Sequence, residues 1–138
     1  MSDNDYFPMV PSFEDTTKYR LLTSDYVETI EVGGREILKI DPEGIALLTA
    51  QGFSDTSHLL RTEHLEQVRK ILDDPEASDN DRFVALDMLK NANISSGRVL
   101  PMCQDTGTAI IMGKKGEQVW VDGNDEAAIS EGVKRTYE

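Results

Sequence analysis

The sequence predicts an α+β fold, in which several helices accompany small antiparallel strand pairs. The first observation behind this prediction is the Gly33-Gly34 pair between two strand-like segments, 26–32 and 35–40. Two adjacent glycines permit the positive φ angles of a tight hairpin. The second observation is a change of period after residue 41, where apolar residues recur at helical spacing. With 138 residues, the chain is about the size of one domain.

The hairpin prediction includes a register. The predicted pairs are Ile30 with Ile37, Glu28 with Lys39 and Glu31 with Glu36. The last pair sets two like charges opposite each other, which is mildly unfavourable. Before the hairpin, residues 1–22 contain Pro8 and Pro11 and follow no period, so we expect an extended N-terminal arm there.

Four helices are predicted after the hairpin from caps, prolines and apolar stripes. They run from Pro42 to about Gly52 after an Asp41 N-cap, over about 62–72, over about 79–91 after a Ser78 N-cap, and from 123–126 to Glu138. On the second helix the expected apolar stripe is Leu65, Val68 and Leu72, and on the third it is Phe83, Leu86 and Leu89. Since the last helix has no C-cap signal, we expect the natural chain to continue.

Two further segments have a predicted structure. The apolar run 108–112 is predicted to be a strand, followed by a turn at 113–116 and a partner strand at 118–121. An acidic turn precedes the third helix and contains Asp73, Asp74, Glu76, Asp79 and Asp81. Because it lacks the central glycine and terminal glutamate of an EF-hand loop, we interpret it as a solvated turn with helix-start carboxylates.

Charge and composition limit the function classes. Fourteen Lys and Arg residues against 26 Asp and Glu give a net charge of −12, which disfavours nucleic acid and anionic membrane surfaces as partners. No apolar run approaches the roughly 20 residues that span a bilayer, and we expect a cytoplasmic protein. Cys103 is the one cysteine, so the chain's own thiols cannot form an intramolecular disulfide or a complete zinc or iron–sulfur site.

The segment 99–108, with the sequence VLPMCQDTGT, concentrates groups that catalysis uses. It places a thiol, an amide, a carboxylate and two hydroxyls in a short loop, where binding groups commonly lie. A lone cysteine is also often a small buried hydrophobe. A cysteine nucleophile would need a base, and the chain offers only His58 and His64, whose distance from Cys103 the sequence leaves open. The residues alone therefore leave the role of Cys103 undecided.

Several motifs resemble the N-terminal region of the class I, iron–sulfur-dependent fumarate hydratases. They are Leu60-Arg61-x-x-His64, the block 74–86 (DPEASDNDRFVAL), the block 100–109 (LPMCQDTGTA), Met112-Gly113-Lys114-Lys115-Gly116, and the block 125–133 (DEAAISEGV). The Cys-Gln-Asp-Thr-Gly sequence is the most specific of these, and the sibling tartrate dehydratases share it. The resemblance is strongest from about residue 59 to residue 137.

This resemblance implies a hydro-lyase that interconverts (S)-malate and fumarate plus water. The family holds a [4Fe–4S] cluster through three cysteines, which leaves one iron open to the dicarboxylate substrate. By resemblance, Cys103 is the first cluster ligand, Gln104 and Asp105 contact the substrate, and Asp105 is the candidate for proton transfer.

The chain departs from the family pattern, because it contains only one of the three cysteines that hold the cluster. We therefore expect residues 23–138 to be the incomplete N-terminal part of an iron–sulfur hydro-lyase catalytic domain, which is inactive without the remainder of its polypeptide. A homodimer is also expected. Lys114 and Lys115 are interpreted as solvated surface rather than as a dicarboxylate pocket. Two alternatives stay open, a tartrate dehydratase-like hydro-lyase and a stand-alone acidic interaction domain with a buried structural cysteine.

Overall fold

The structure is a computed structural model that describes residues 18–103 and 107–138. Residues 1–17 of the predicted N-terminal arm lie outside the described residues. A β-hairpin begins the described fold, with β1 at Val27–Val32 and β2 at Arg35–Ile40. Gly33 and Gly34 join the strands with φ angles of 59° and 76°, a region that glycine adopts without steric cost. All three predicted pairs, Ile30–Ile37, Glu28–Lys39 and Glu31–Glu36, are present.

The third strand, β3 at Val119–Val121, lies parallel to β2 in a sheet of order β1-β2-β3. Two backbone hydrogen bonds flank this pairing, from the Leu38 amide to the Gln118 carbonyl (2.8 Å) and from the Asp122 amide to the Ile40 carbonyl (3.2 Å). The prediction of a strand at 108–112 is wrong, because these residues have no strand structure and β3 takes the open edge of β2 instead. An apolar run becomes a strand only where another strand edge is available to pair with it.

Four helices complete the α+β fold, which confirms the predicted class. They are α1 at Pro42–His58, α2 at Thr62–Ile71, α3 at Asp79–Ser95 and α4 at Asp125–Tyr137. The predicted caps are present, since the Asp41 carboxylate accepts the Glu43 amide (2.8 Å) and Ser78 forms a capping box with Asp81. Helix α1 extends past its predicted end at Gly52, because a single interior glycine weakens a helix without ending it.

Close packing of α1 against α4 depends on a glycine. A Cβ on Gly132 would lie 2.5 Å from the Ala46 carbonyl oxygen and 2.6 Å from the Thr49 Cβ, so the two helices cross at a distance that a side chain would prevent. Ala46 and Ala128 are buried at the same interface. Small residues thus set the separation of the two helices.

Helices α2 and α3 each bury only a few side chains among the described residues. Val68 of the predicted α2 stripe is buried, as expected. The predicted face of α3 is wrong, because Phe83 and Leu86 are 62% and 41% exposed, while Ala85 and Ala92 are buried. Small side chains let α3 approach its neighbours, so the face with the larger residues is turned outward.

Large apolar side chains remain exposed over the last third of the chain. Val99 is 85% exposed and Met112 is 92% exposed, with Leu100 and Ile110 also at the surface. Among the described residues, the helices are all too short or too polar to cross a membrane.

Candidate functional site

Cys103 lies in the loop that follows α3, and its side chain is exposed. This placement disagrees with the alternative of a buried structural cysteine. Gln104 and Asp105, which the sequence assigned to substrate contact and proton transfer, lie outside the described residues. The geometry of the candidate site is therefore that of the thiol and of the segment that leads to it.

The residue before the thiol is anchored to two helices. The Met102 amide donates to the Ser57 carbonyl near the end of α1 (2.8 Å), and the Met102 carbonyl accepts from Asn91 Nδ2 on α3 (2.8 Å). The Met102 side chain lines a cavity of about 190 Å³ with apolar residues of α2 and α3. The loop is thus held immediately before Cys103.

Arg98 anchors the start of the same loop. It has a φ of 59°, which is uncommon for a residue with a side chain, and its guanidinium donates to Ser54 Oγ (2.9 Å) and to the Asp55 carboxylate. Asp55 also pairs with Arg20 (3.0 Å). The hydrogen bond from Arg98, followed by one from Gln51, lowers the pKa of Asp55 below its ordinary value of 3.8.

A buried hydroxyl ties the end of α3 to the end of α1. Ser95 is 1% exposed, and its Oγ lies 3.0 Å from the His58 carbonyl and 3.0 Å from the Ala92 carbonyl. The final turns of α1 and α3 thus form the base on which the 96–103 loop lies. The sequence analysis missed Asn91, Ser95 and Arg98 as anchors of the site. The one signal was that asparagine and serine are poor residues for a helix interior.

The two histidines have different surroundings. His58 Nδ1 lies 2.8 Å from the Ser54 carbonyl, so this nitrogen carries the proton. His64 lines the same small cavity as Met102. The Nδ1 proton of His58 is thus directed at a carbonyl of its own helix.

A complete metal centre is not present in the part of the chain that the structure describes. Within residues 18–103 and 107–138, no group of three His, Cys, Asp or Glu side chains is arranged to hold a metal ion. One exposed thiol in an anchored loop fits a single ligand position of a metal cluster, and the remaining ligands would have to come from elsewhere.

An apolar groove of about 980 Å³ lies between the sheet, α1, α4 and the segment 107–115. Its polar lining includes Lys114, Lys115 and Asp125, and Lys115 forms an ion pair with Asp125. Both lysines are exposed, as the sequence analysis expected.

The acidic turn before α3 acts in helix capping and local ion pairs. Asp81 accepts hydrogen bonds from the Ser78 hydroxyl and amide, and these bonds lower the pKa of Asp81. Asp79 also lies in the first turn of α3, while Asp73 pairs with Arg69. The interpretation as helix-start carboxylates is confirmed for Asp79 and Asp81.

Known proteins resemble this chain over nearly its whole length. Fumarate hydratase 1, mitochondrial, of Leishmania major is 56% identical over 96% of this chain, which corresponds to 25% of that protein. The anaerobic class I fumarate hydratase of Escherichia coli K12 is 54% identical and the aerobic one 55% identical, each over 92% of this chain and 23% of its own length. The chain therefore spans about a quarter of the length of these curated relatives.

The sequence model of the fumarate hydratase (Fumerase) family matches residues 47–138, a range that begins within α1 and includes Cys103 and the anchored loop. This range contains α2, α3 and α4 and the two residues that bind Met102. The chain belongs to the fumarate hydratase family.

Proposed function

We propose that this chain is part of a class I fumarate hydratase, a hydro-lyase that interconverts (S)-malate with fumarate and water. The observation that carries the proposal is the 54–56% identity to named fumarate hydratases over 92–96% of the chain. Because the chain spans about a quarter of those proteins, the activity is assigned to a longer polypeptide. In it, residues 23–138 would form the N-terminal part of the catalytic domain and residues 1–22 an arm.

In this proposal the Cys103 thiolate is one of three cysteine ligands of a [4Fe–4S] cluster. The exposure of the thiol and the anchoring of Met102 support this role, since a ligand must reach outward from a fixed backbone. A bound cluster with one open iron supplies a Lewis acid for the substrate's hydroxyl and carboxylate groups. The other two thiolates are assigned to the remainder of the polypeptide.

The residues after the thiol would contact the substrate. Gln104 has an amide that donates and accepts hydrogen bonds, which suits a malate hydroxyl or carboxylate. The Asp105 carboxylate would move a proton to or from the substrate carbon or the leaving hydroxyl. With a net charge of −12 on this chain, the positive groups that bind a dianion are assigned to the rest of the enzyme.

The test of the ligand assignment uses the complete reading frame, expressed and purified without oxygen. We expect Cys103→Ala to lack the cluster and the malate-to-fumarate activity, because two thiolates do not hold a cubane stably. Iron and sulfide content and turnover are measured together. Ser96→Ala removes an exposed hydroxyl that bonds to the Asn93 carbonyl at the end of α3, and as the control it should retain both. Full iron content in Cys103→Ala would refute the ligand assignment.

The proton-transfer role is tested by Asp105→Asn. This variant should keep its iron and sulfide content and lose about 10²–10⁴-fold in kcat, the usual contribution of a positioned acid or base. Glu117→Gln removes an exposed carboxylate outside the loop and should leave kcat unchanged. A cluster-loaded Asp105→Asn enzyme with wild-type kcat would exclude this residue as the acid or base.

Substrate, assembly and location complete the proposal. Turnover of tartrate in place of malate by the complete enzyme would identify a tartrate dehydratase instead.

We propose a homodimer, which light scattering of the complete enzyme tests. A cytoplasmic location is proposed from the single cysteine, which suits a reducing compartment, and cell fractionation tests it.

A further inference from the structure

Two backbone groups of Met102 are held by different helices. Its amide donates to the Ser57 carbonyl of α1, and its carbonyl accepts from the Asn91 side chain of α3, each over 2.8 Å. Met102 also lines the small cavity to which Leu65 and Val68 of α2 contribute. The residue that precedes the thiol is thereby fixed at both of its backbone polar groups.

The bond from Asn91 acts on Cys103 through peptide geometry. The Met102 carbonyl and the Cys103 nitrogen and Cα belong to one planar peptide unit. A hydrogen bond that fixes the direction of the carbonyl therefore also fixes the position of the Cys103 Cα, from which the thiol side chain extends. The bond from the Met102 amide to Ser57 acts on the preceding peptide unit and leaves this plane free to rotate.

The contact of Asn91 with Met102 offsets part of the cost of an asparagine inside a helix. Asparagine is one of the weaker helix formers, and Asn91 lies inside α3, where alanine would favour the helix. Asn93 is an exposed residue of the same type on the same helix, two positions further along. Two positions along a helix turn a side chain to nearly the opposite side, so Asn93 is a matched control for Asn91.

We propose that Asn91 is a positioning residue, which holds the Met102–Cys103 peptide in the orientation that presents the Cys103 thiolate to the cluster. This inference rests on the proposed function, in which Cys103 is a cluster ligand. Asn91 does not touch the substrate or the cluster in this role. It acts by keeping the ligand in place before the cluster binds, as the supporting residues of a metal site do.

The experiment compares Asn91→Ala, Asn91→Gln and Asn93→Ala in the complete enzyme, purified without oxygen. In the loaded enzyme, Asn91→Ala should release iron to a chelator about fivefold faster than the wild type, which is the loss expected for one hydrogen bond. Asn91→Gln keeps an amide donor and should restore part of the difference. Asn93→Ala should match the wild type. Equal iron release from Asn91→Ala and Asn93→Ala would overturn the proposal.

A second measurement uses the apoprotein and needs no cluster. Hydrogen exchange of the Met102 amide, which donates to Ser57, should be about fivefold faster in Asn91→Ala, because the loop has lost one of its two backbone anchors. The unfolding midpoint should stay near that of Asn93→Ala. A wild-type exchange rate in Asn91→Ala overturns the anchoring by itself. Full iron content in Cys103→Ala would instead overturn the proposed function and with it the role of Asn91 toward the cluster.

Discussion

Two regions of the molecule are held together in different ways. The hairpin half, formed by β1, β2, β3, α1 and α4, packs through small residues at a close helix crossing, where Gly132 meets Ala46. The loop half, formed by α2, α3 and residues 96–103, also buries small residues, such as Ala85 and Ala92. In the loop half, hydrogen bonds from side chains to the backbone fix the segment that carries the thiol.

This difference shows that the segment that carries Cys103 is positioned by hydrogen bonds more than by close packing. A close-packed interface tolerates little change, since a single added methyl group meets backbone atoms. A loop held by a few hydrogen bonds can present a side chain outward while its apolar neighbours stay uncovered. Val99 precedes Cys103 in the sequence and Met112 follows it, and both are exposed apolar side chains of the kind that mark interaction surfaces.

The largest stability effect is expected from Gly132→Ala. The new Cβ would lie 2.5 Å from the Ala46 carbonyl oxygen, so α1 and α4 must move apart. Overpacking of this kind costs about 1–3 kcal/mol, which exceeds the gain in helix propensity from glycine to alanine. The free energy of unfolding, measured by chemical denaturation followed by circular dichroism, should fall accordingly.

Gly52→Ala is the matched control for this change. Gly52 lies inside α1, and a Cβ there would meet nothing within 4 Å. The same substitution should therefore raise the free energy of unfolding by up to about 1 kcal/mol through helix propensity. If Gly132→Ala raised the free energy of unfolding, α1 and α4 would not be close-packed at this position, and the two regions would not differ in this respect.

The contact that joins the two halves gives the next largest effect. Ser95→Ala removes a buried hydroxyl that lies 3.0 Å from the His58 carbonyl, so the ends of α1 and α3 lose their hydrogen bond. The expected cost is about 1 kcal/mol in the free energy of unfolding. Ser96→Ala removes an exposed hydroxyl that bonds within its own helix end, to the Asn93 carbonyl, and should cost less. A larger loss in Ser96→Ala than in Ser95→Ala would contradict the joining role of Ser95.

Sequence reasoning predicted contacts between near neighbours in the sequence better than contacts between distant elements. The hairpin register followed from Gly33-Gly34, since a two-residue loop leaves one pairing of the strands. The Asp41 and Ser78 caps followed from contacts two or three residues apart. The parallel pairing of β3 with β2 did not, because the choice of a strand edge depends on how distant elements pack.

The candidate site shows the same limit. The motif around Cys103 indicated which thiol to examine. The anchors did not follow from the sequence, since Asn91 reaches Met102 across 11 residues and Arg98 reaches Ser54 across 44. On α3, the sequence analysis expected Phe83 on the buried face, and in the structure Ala85 and Ala92 are buried instead.

The smallest effect is expected from the ion pair between the halves, and it appears as a pH dependence. Arg98 of the loop half holds the pKa of Asp55 in α1 below its ordinary value of 3.8. A carboxyl with a lowered pKa in the folded state stabilises the fold above its ordinary value, and this contribution is lost as the pH falls below that value and through the folded pKa. Asp55→Asn should therefore lower the thermal unfolding midpoint at pH 7. At a pH well below 3.8 it should leave the midpoint unchanged.

The two arginines that face Asp55 sharpen this test. The hydrogen bond from Arg98 is the largest cause of the lowered pKa, and the charge of Arg20 is the smallest of those that lower it. Arg98→Gln should thus remove more of the acid dependence of the unfolding midpoint than Arg20→Gln, because the hydrogen bond from Arg98 is the shorter of the two, at 2.5 Å against 3.0 Å. Thermal unfolding from pH 7 down to the acid end measures both variants. If Arg20→Gln removed more of the acid dependence, Asp55 would act mainly in its ion pair with Arg20 rather than in joining the two halves.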